Sequence, residues 1–112
     1  MEITQSSNGG ITVVSLTGRF DAQSAGQVDA SLQQAVQGAA ARLVVDMAKV
    51  EYVSSAGLRV LLAVAKKVGS GGGRLVLCGL QPYVLEVFEV AGFTAIFQIM
   101  PDASQALASM QP

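Results

Sequence analysis

Residues 43–59 (Leu-Val-Val-Asp-Met-Ala-Lys-Val-Glu-Tyr-Val-Ser-Ser-Ala-Gly-Leu-Arg) constrain this chain more than any other stretch. Leu43 to Val45 is an apolar run of strand character that reaches a carboxylate at Asp46, and a short loop then delivers Ser54 and Ser55. From Leu58 onward, Leu58, Leu61, Leu62, Ala65 and Val68 recur at helical spacing, which turns that face inward. Arg59, Ala63 and Lys66 fall on the opposite face. Ser54 or Ser55 is the N-cap, its hydroxyl accepting from a backbone N–H that has no partner inside the helix. A helix N-terminus also favours negative charge through its dipole and free N–H groups, so a serine here is a place where a phosphate is tolerated.

The flanking segments extend this alternation of strand and helix. Met1 to Ser7 reads as an edge strand, Asn8-Gly9-Gly10 as a turn and Ile11 to Leu16 as a stronger strand, so the first two strands form an antiparallel hairpin. Thr17 to Asp21 is expected to leave that strand as a loop. Ser24-x-x-Gln27 has the spacing of a capping box, opening a helix that buries Ala25, Val28, Leu32, Ala35 and Val36 and runs out near Gly38. Arg42 to Asp46 is the central strand. The helix after Ser55 ends at Gly69 to Gly73, and Arg74 to Cys78 is the next strand. Pro82 opens a helix with Val84, Leu85, Phe88 and Ala91 inward and Gly92 past its end. Ile96 to Ile99 is a last short strand, and Asp102-x-x-Gln105 caps a final helix that buries Ala103, Ala106, Leu107 and Met110. The expected fold is α/β: one domain over residues 1–112, with a mostly parallel sheet of about five strands in roughly sequence order and four helices.

Several chemistries are absent. The chain has no histidine and one cysteine, Cys78, which removes both the usual base for a serine nucleophile and an ordinary zinc site. Ser-Ala-Gly is not a Gly-x-Ser-x-Gly elbow, and no cofactor is implied. A net charge of −1 gives no electrostatic reason to bind nucleic acid, and no apolar run is long enough for membrane insertion. The lone cysteine and the lack of a basic start followed by an apolar run point to a cytoplasmic protein. Asp21 and Asp46 both follow predicted strand ends, so they are expected near Ser54 and Ser55, bordering the loop or, as a distant option, acting as a catalytic pair.

Asp46-Met47-Ala48-x-Val50-x-Tyr52-Val53-Ser54-Ser55-Ala56-Gly57-Leu58-Arg59 resembles the signature of the STAS domain, and Leu-Thr-Gly-x-x-Asp at residues 16–21 is a second similar feature. STAS proteins include the bacterial anti-sigma factor antagonists. The resemblance implies a regulatory binding protein, not an enzyme, that sequesters an anti-sigma factor serine kinase. The kinase phosphorylates one serine and the modified antagonist lets go; a serine phosphatase can reverse this. Where the family motif often reads Asp-Ser-Ser/Thr-Gly-Leu, Ser54 takes the Asp position, Ser55 the phosphorylated serine and Ala56 the second hydroxyl. Asp21, Asp46, Gly57, Leu58 and Arg59 flank that serine or meet the partner. The alternative that keeps the fold is a constitutive accessory subunit of another complex, such as a lipid-transport ATPase.

Overall fold

The computed structural model describes residues 1–111. Five strands and four helices alternate: β1 Glu2–Asn8, β2 Ile11–Phe20, α1 Ala25–Ala35, β3 Arg42–Val53, α2 Ser55–Ser70, β4 Arg74–Cys78, α3 Pro82–Val90, β5 Gln98–Met100 and α4 Ala103–Met110. The sheet order is β1-β2-β3-β4-β5, with β1 antiparallel to β2 and the other pairs parallel. The sheet thus follows sequence order, as expected. No described helix is long and apolar enough to cross a membrane.

The strands carry apolar side chains on both faces, and both are covered. Val14, Leu16, Phe20, Leu43, Val45 and Leu77 belong to the larger core, together with the inward residues of α1, α2 and α3. Ile11, Val13, Val44, Val76 and Cys78 form a second core, closed by Ala106 and Met110 of α4. Two arginines tie the end of that lone helix to the sheet. Arg42 donates to the Met110 carbonyl at 3.1 Å and Arg74 to the Ser109 carbonyl at 2.6 Å.

Two strands run further than the sequence implies. Thr17 to Phe20 continues β2 instead of leaving it, and Met47 to Val53 continues β3 past Asp46. The pairing register explains both. Ser15 faces Asp46, Thr17 faces Lys49, Gly18 faces Val50 and Arg19 faces Tyr52, so β3 holds one extra residue at each of two bulges. Buried residues on β2 keep the period of two (Val14, Leu16, Phe20), whereas those on β3 fall at 45, 47, 50 and 53. A bulge adds a residue without changing the face, which disguises the continuation as a loop.

Smaller departures have local causes. Ser24 precedes α1 but is already near helical geometry (φ −97°, ψ −14°), and its hydroxyl makes no cap bond. It instead donates to the Arg19 carbonyl at 2.8 Å and accepts from the Asp21 N–H at 3.0 Å, while the Gln27 amide reaches the Met1 carbonyl, so no capping box forms. β5 is Gln98–Met100 and not Ile96–Ile99, because the Phe93 carbonyl accepts from both Ile96 and Phe97 and keeps the chain turned there. Ile96 is left exposed while Phe97 packs edge-on to Phe88, with ring centroids 5.8 Å apart. In α3, Val84 and Phe88 are buried and Leu85 is half-buried, but Ala91 lies outside the helix and is exposed. On α2, Leu58, Leu61 and Val68 are buried as expected, Leu62 and Ala65 are half-buried, and Val64 joins the buried row.

Candidate functional site

Strands β2 and β3 end together. Phe20 pairs with Val53, and the Ser54 N–H donates to the Phe20 carbonyl at 2.9 Å, which fixes where the chain turns from β3 into α2. Ser54 is extended (φ −90°, ψ 173°), and its hydroxyl accepts from the Gly57 N–H at 3.3 Å. Its carbonyl accepts from the Leu58 N–H at 3.0 Å. Ser54 is therefore the cap, and Ser55 is the first helical residue, exposed and one position beyond the cap.

The remaining motif residues divide between interior and surface. Gly57 is buried, and a Cβ there would stand 2.9 Å from the Phe20 carbonyl oxygen and 3.0 Å from the Phe20 ring. Only glycine lets the first turn of α2 approach the end of β2 this closely. Leu58 is in the core and Ala56 half-buried, while Arg59 is exposed one helical turn beyond Ser55.

The two candidate acids lie apart. Asp21 directly follows Phe20, beside Ser54. Its carboxylate accepts from the Gln23 and Ser24 N–H groups at 3.0 and 3.3 Å, so it shapes the turn into α1. Arg19 pairs with it at 3.8 Å and lies over the Tyr52 ring at 4.3 Å from the centroid. Asp46 is not at the site. It pairs in mid-sheet with Ser15 and Cys78, and its carboxylate accepts from the Ala48 N–H at 3.0 Å, clasping the first bulge of β3. Six residues of strand, roughly 20 Å, separate it from Val53. The expected pairing of acids beside Ser54 and Ser55 fails because β3 does not end at Asp46. The Arg19–Tyr52 stack was not anticipated from the sequence; a reading of Thr17 to Phe20 as strand would have placed the two side chains opposite each other. Among the described residues no group of three or more His, Cys, Asp or Glu side chains could hold a metal ion.

A mixed sheet with helices on both faces, and an exposed serine beside a capped helix start at the parallel strand ends, define a small α/β domain of a recognisable class. The family model described as "STAS domain" matches residues 2–106, and the chain belongs to that family. A protein provisionally named anti-sigma factor antagonist BtrV, from Bordetella bronchiseptica, is 39% identical over 111 residues, which is 99% of this chain and 96% of that protein. An anti-sigma factor antagonist (STAS) domain protein of Planctomyces limnophilus superposes with a TM-score of 0.89 at 24% identity, covering 97% of each chain. The Bacillus cell fate determinant SpoIIAA in its phosphorylated form gives a TM-score of 0.71 at 17% identity, over 98% of this chain and 100% of that one.

Proposed function

We propose that this protein is a cytoplasmic anti-sigma factor antagonist. It binds an anti-sigma factor that is also a serine kinase, and phosphorylation of Ser55 switches that binding off. The observation that carries this reading is the exposure of Ser55 immediately after the cap: Ser54 holds the Gly57 N–H, so the Ser55 hydroxyl is left to the surface. The whole-length likeness to a relative named as an anti-sigma factor antagonist supports the partner class.

The physics of the switch is local. A phosphoserine adds about −1.5 to −2 charges near pH 7, and the start of α2 accommodates that charge, so the fold persists. A partner pressed over this turn instead meets a new, strongly hydrated group. An interfacial cost of about 3–4 kcal/mol weakens binding several hundredfold. The protein acts as the kinase's substrate and contributes no catalysis of its own, and a serine phosphatase restores the binding form.

The test is incubation with the cognate kinase and ATP, followed by mass-spectrometric mapping and binding measurement. Modification should fall on Ser55 and abolish binding; Ser55→Ala should bind constitutively, and Ser55→Asp should fold but bind poorly. Phosphate on Ser54, or strong binding with neither serine modified, would overturn the assignment. The second outcome favours the constitutive accessory-subunit reading.

A further inference from the structure

The exposed face of α2 carries a cation in register with the serine that the proposed switch modifies. Ser55 and Arg59 are four residues apart in one helix, and both are exposed. That spacing stacks their side chains, with Cβ atoms about 5–6 Å apart, and an acid preceding a base in this order is the favourable arrangement. Ser54 makes the cap bond, so a group carried on Ser55 costs the helix none of its own hydrogen bonds.

The charged groups on the elements meeting at this turn are few. Arg19 and Asp21 at the end of β2 are paired with each other, and Glu51 near the end of β3 is exposed. The Arg19–Asp21 contact is the ion pair found among the described residues; Arg59 has no carboxylate partner there. An arginine without a partner, one turn above a phosphoacceptor, can fork two oxygens of a phosphate.

Resting on the assignment of Ser55 as the phosphoacceptor, we infer that Arg59 is the intramolecular counter-ion of the Ser55 phosphate. The modification then changes the surface twice. It adds a dianion, and it withdraws a guanidinium that in the unmodified protein is free to meet a partner's carboxylate. The helix gains an internal tie as the binding surface loses its cation.

The experiment places phosphoserine at position 55 by genetic-code expansion, so that no kinase is needed, and follows the phosphate by 31P NMR as a function of pH. Arg59 favours the dianion and should lower the second phosphate pKa. That pKa should rise by about a third of a unit in Arg59→Gln, an energy in the upper range of helical ion pairs. It should rise further in Arg59→Glu and return part of the way in Arg59→Lys. Position 59 is exposed, so circular dichroism should show all four proteins folded. One pKa shared by the four would overturn the inference. Its failure and that of the switch are separable: a kinase that ignores Ser55 removes the switch without altering the order of the phosphoserine titrations. A kinase that modifies Ser55 in proteins whose titrations coincide removes only the tie.

Discussion

Gly57→Ala is the sharpest probe of how α2 is seated. In an ordinary helix interior the change should stabilise by about 0.5–1 kcal/mol, because alanine loses less backbone entropy on folding. Here the new carbon would lie 2.9 Å from the Phe20 carbonyl oxygen, the acceptor that anchors Ser54. Forcing a methyl into a packed contact costs about 1–3 kcal/mol, which leaves a net loss of about 0.5–2 kcal/mol. For a domain of this size about 4 °C of Tm accompanies each kcal/mol, so melting should fall by about 2–8 °C. Gly69 in the same helix is the control, because a Cβ there meets nothing within 4 Å. Gly69→Ala should therefore raise Tm by about 2–4 °C. Thermal melts followed by circular dichroism compare the two. A Gly57→Ala protein that melts at or above wild type would refute the close approach as the reason for glycine.

Leu61 is fully buried, and Leu61→Ala should lower unfolding free energy in urea by about 2–5 kcal/mol. Ser54→Ala should cost about 0.5–2 kcal/mol in the same assay because it removes the cap, whereas Ser55→Ala should cost less. Burial, reinforced by the Asp46 and Asp102 carboxylates, pushes the Cys78 thiol from 9.0 up to about 12. The unfolded chain releases that proton first, so the stability contributed by the neutral thiol is complete below about pH 9 and lost as pH climbs through 12. Stability of Cys78→Ala should then fall less steeply than wild type above pH 9, and parallel curves would contradict the buried neutral thiol.

The order of elements was legible because each helix announces itself by spacing and each short strand by an apolar run. Leu58, Leu61 and Val68 were placed correctly, as were the Asp102 cap, which accepts from Gln105 at 2.8 Å, and Gly92, which has φ 76°. The second halves of β2 and β3 were not legible. Polar Lys49 and Glu51 interrupt the run, and the bulges space Met47, Val50 and Val53 three apart, a period belonging to neither regular structure. A strand that stopped at Asp46 would carry that carboxylate to the serine turn; the continued β3 leaves it in mid-sheet. Ser54 and Ser55 keep their place either way, since the helix start depends only on the residues that follow.

The bulge at Met47–Ala48 also divides β3 into lengths with different neighbours. Up to Asp46 the strand is held on both sides, but β4 ends at Cys78, and from Lys49 to Val53 the only paired strand is β2. The Gln81 amide donating to the Ala48 carbonyl at 3.0 Å marks the parting. Amide hydrogen exchange should register this division. Residues 43–46 need opening of the whole sheet, whereas those of 49–53 that point away from β2 are released by a smaller, local opening. The serine turn follows that one-sided length, so a local opening of β3 can reach it while the middle of the sheet stays closed.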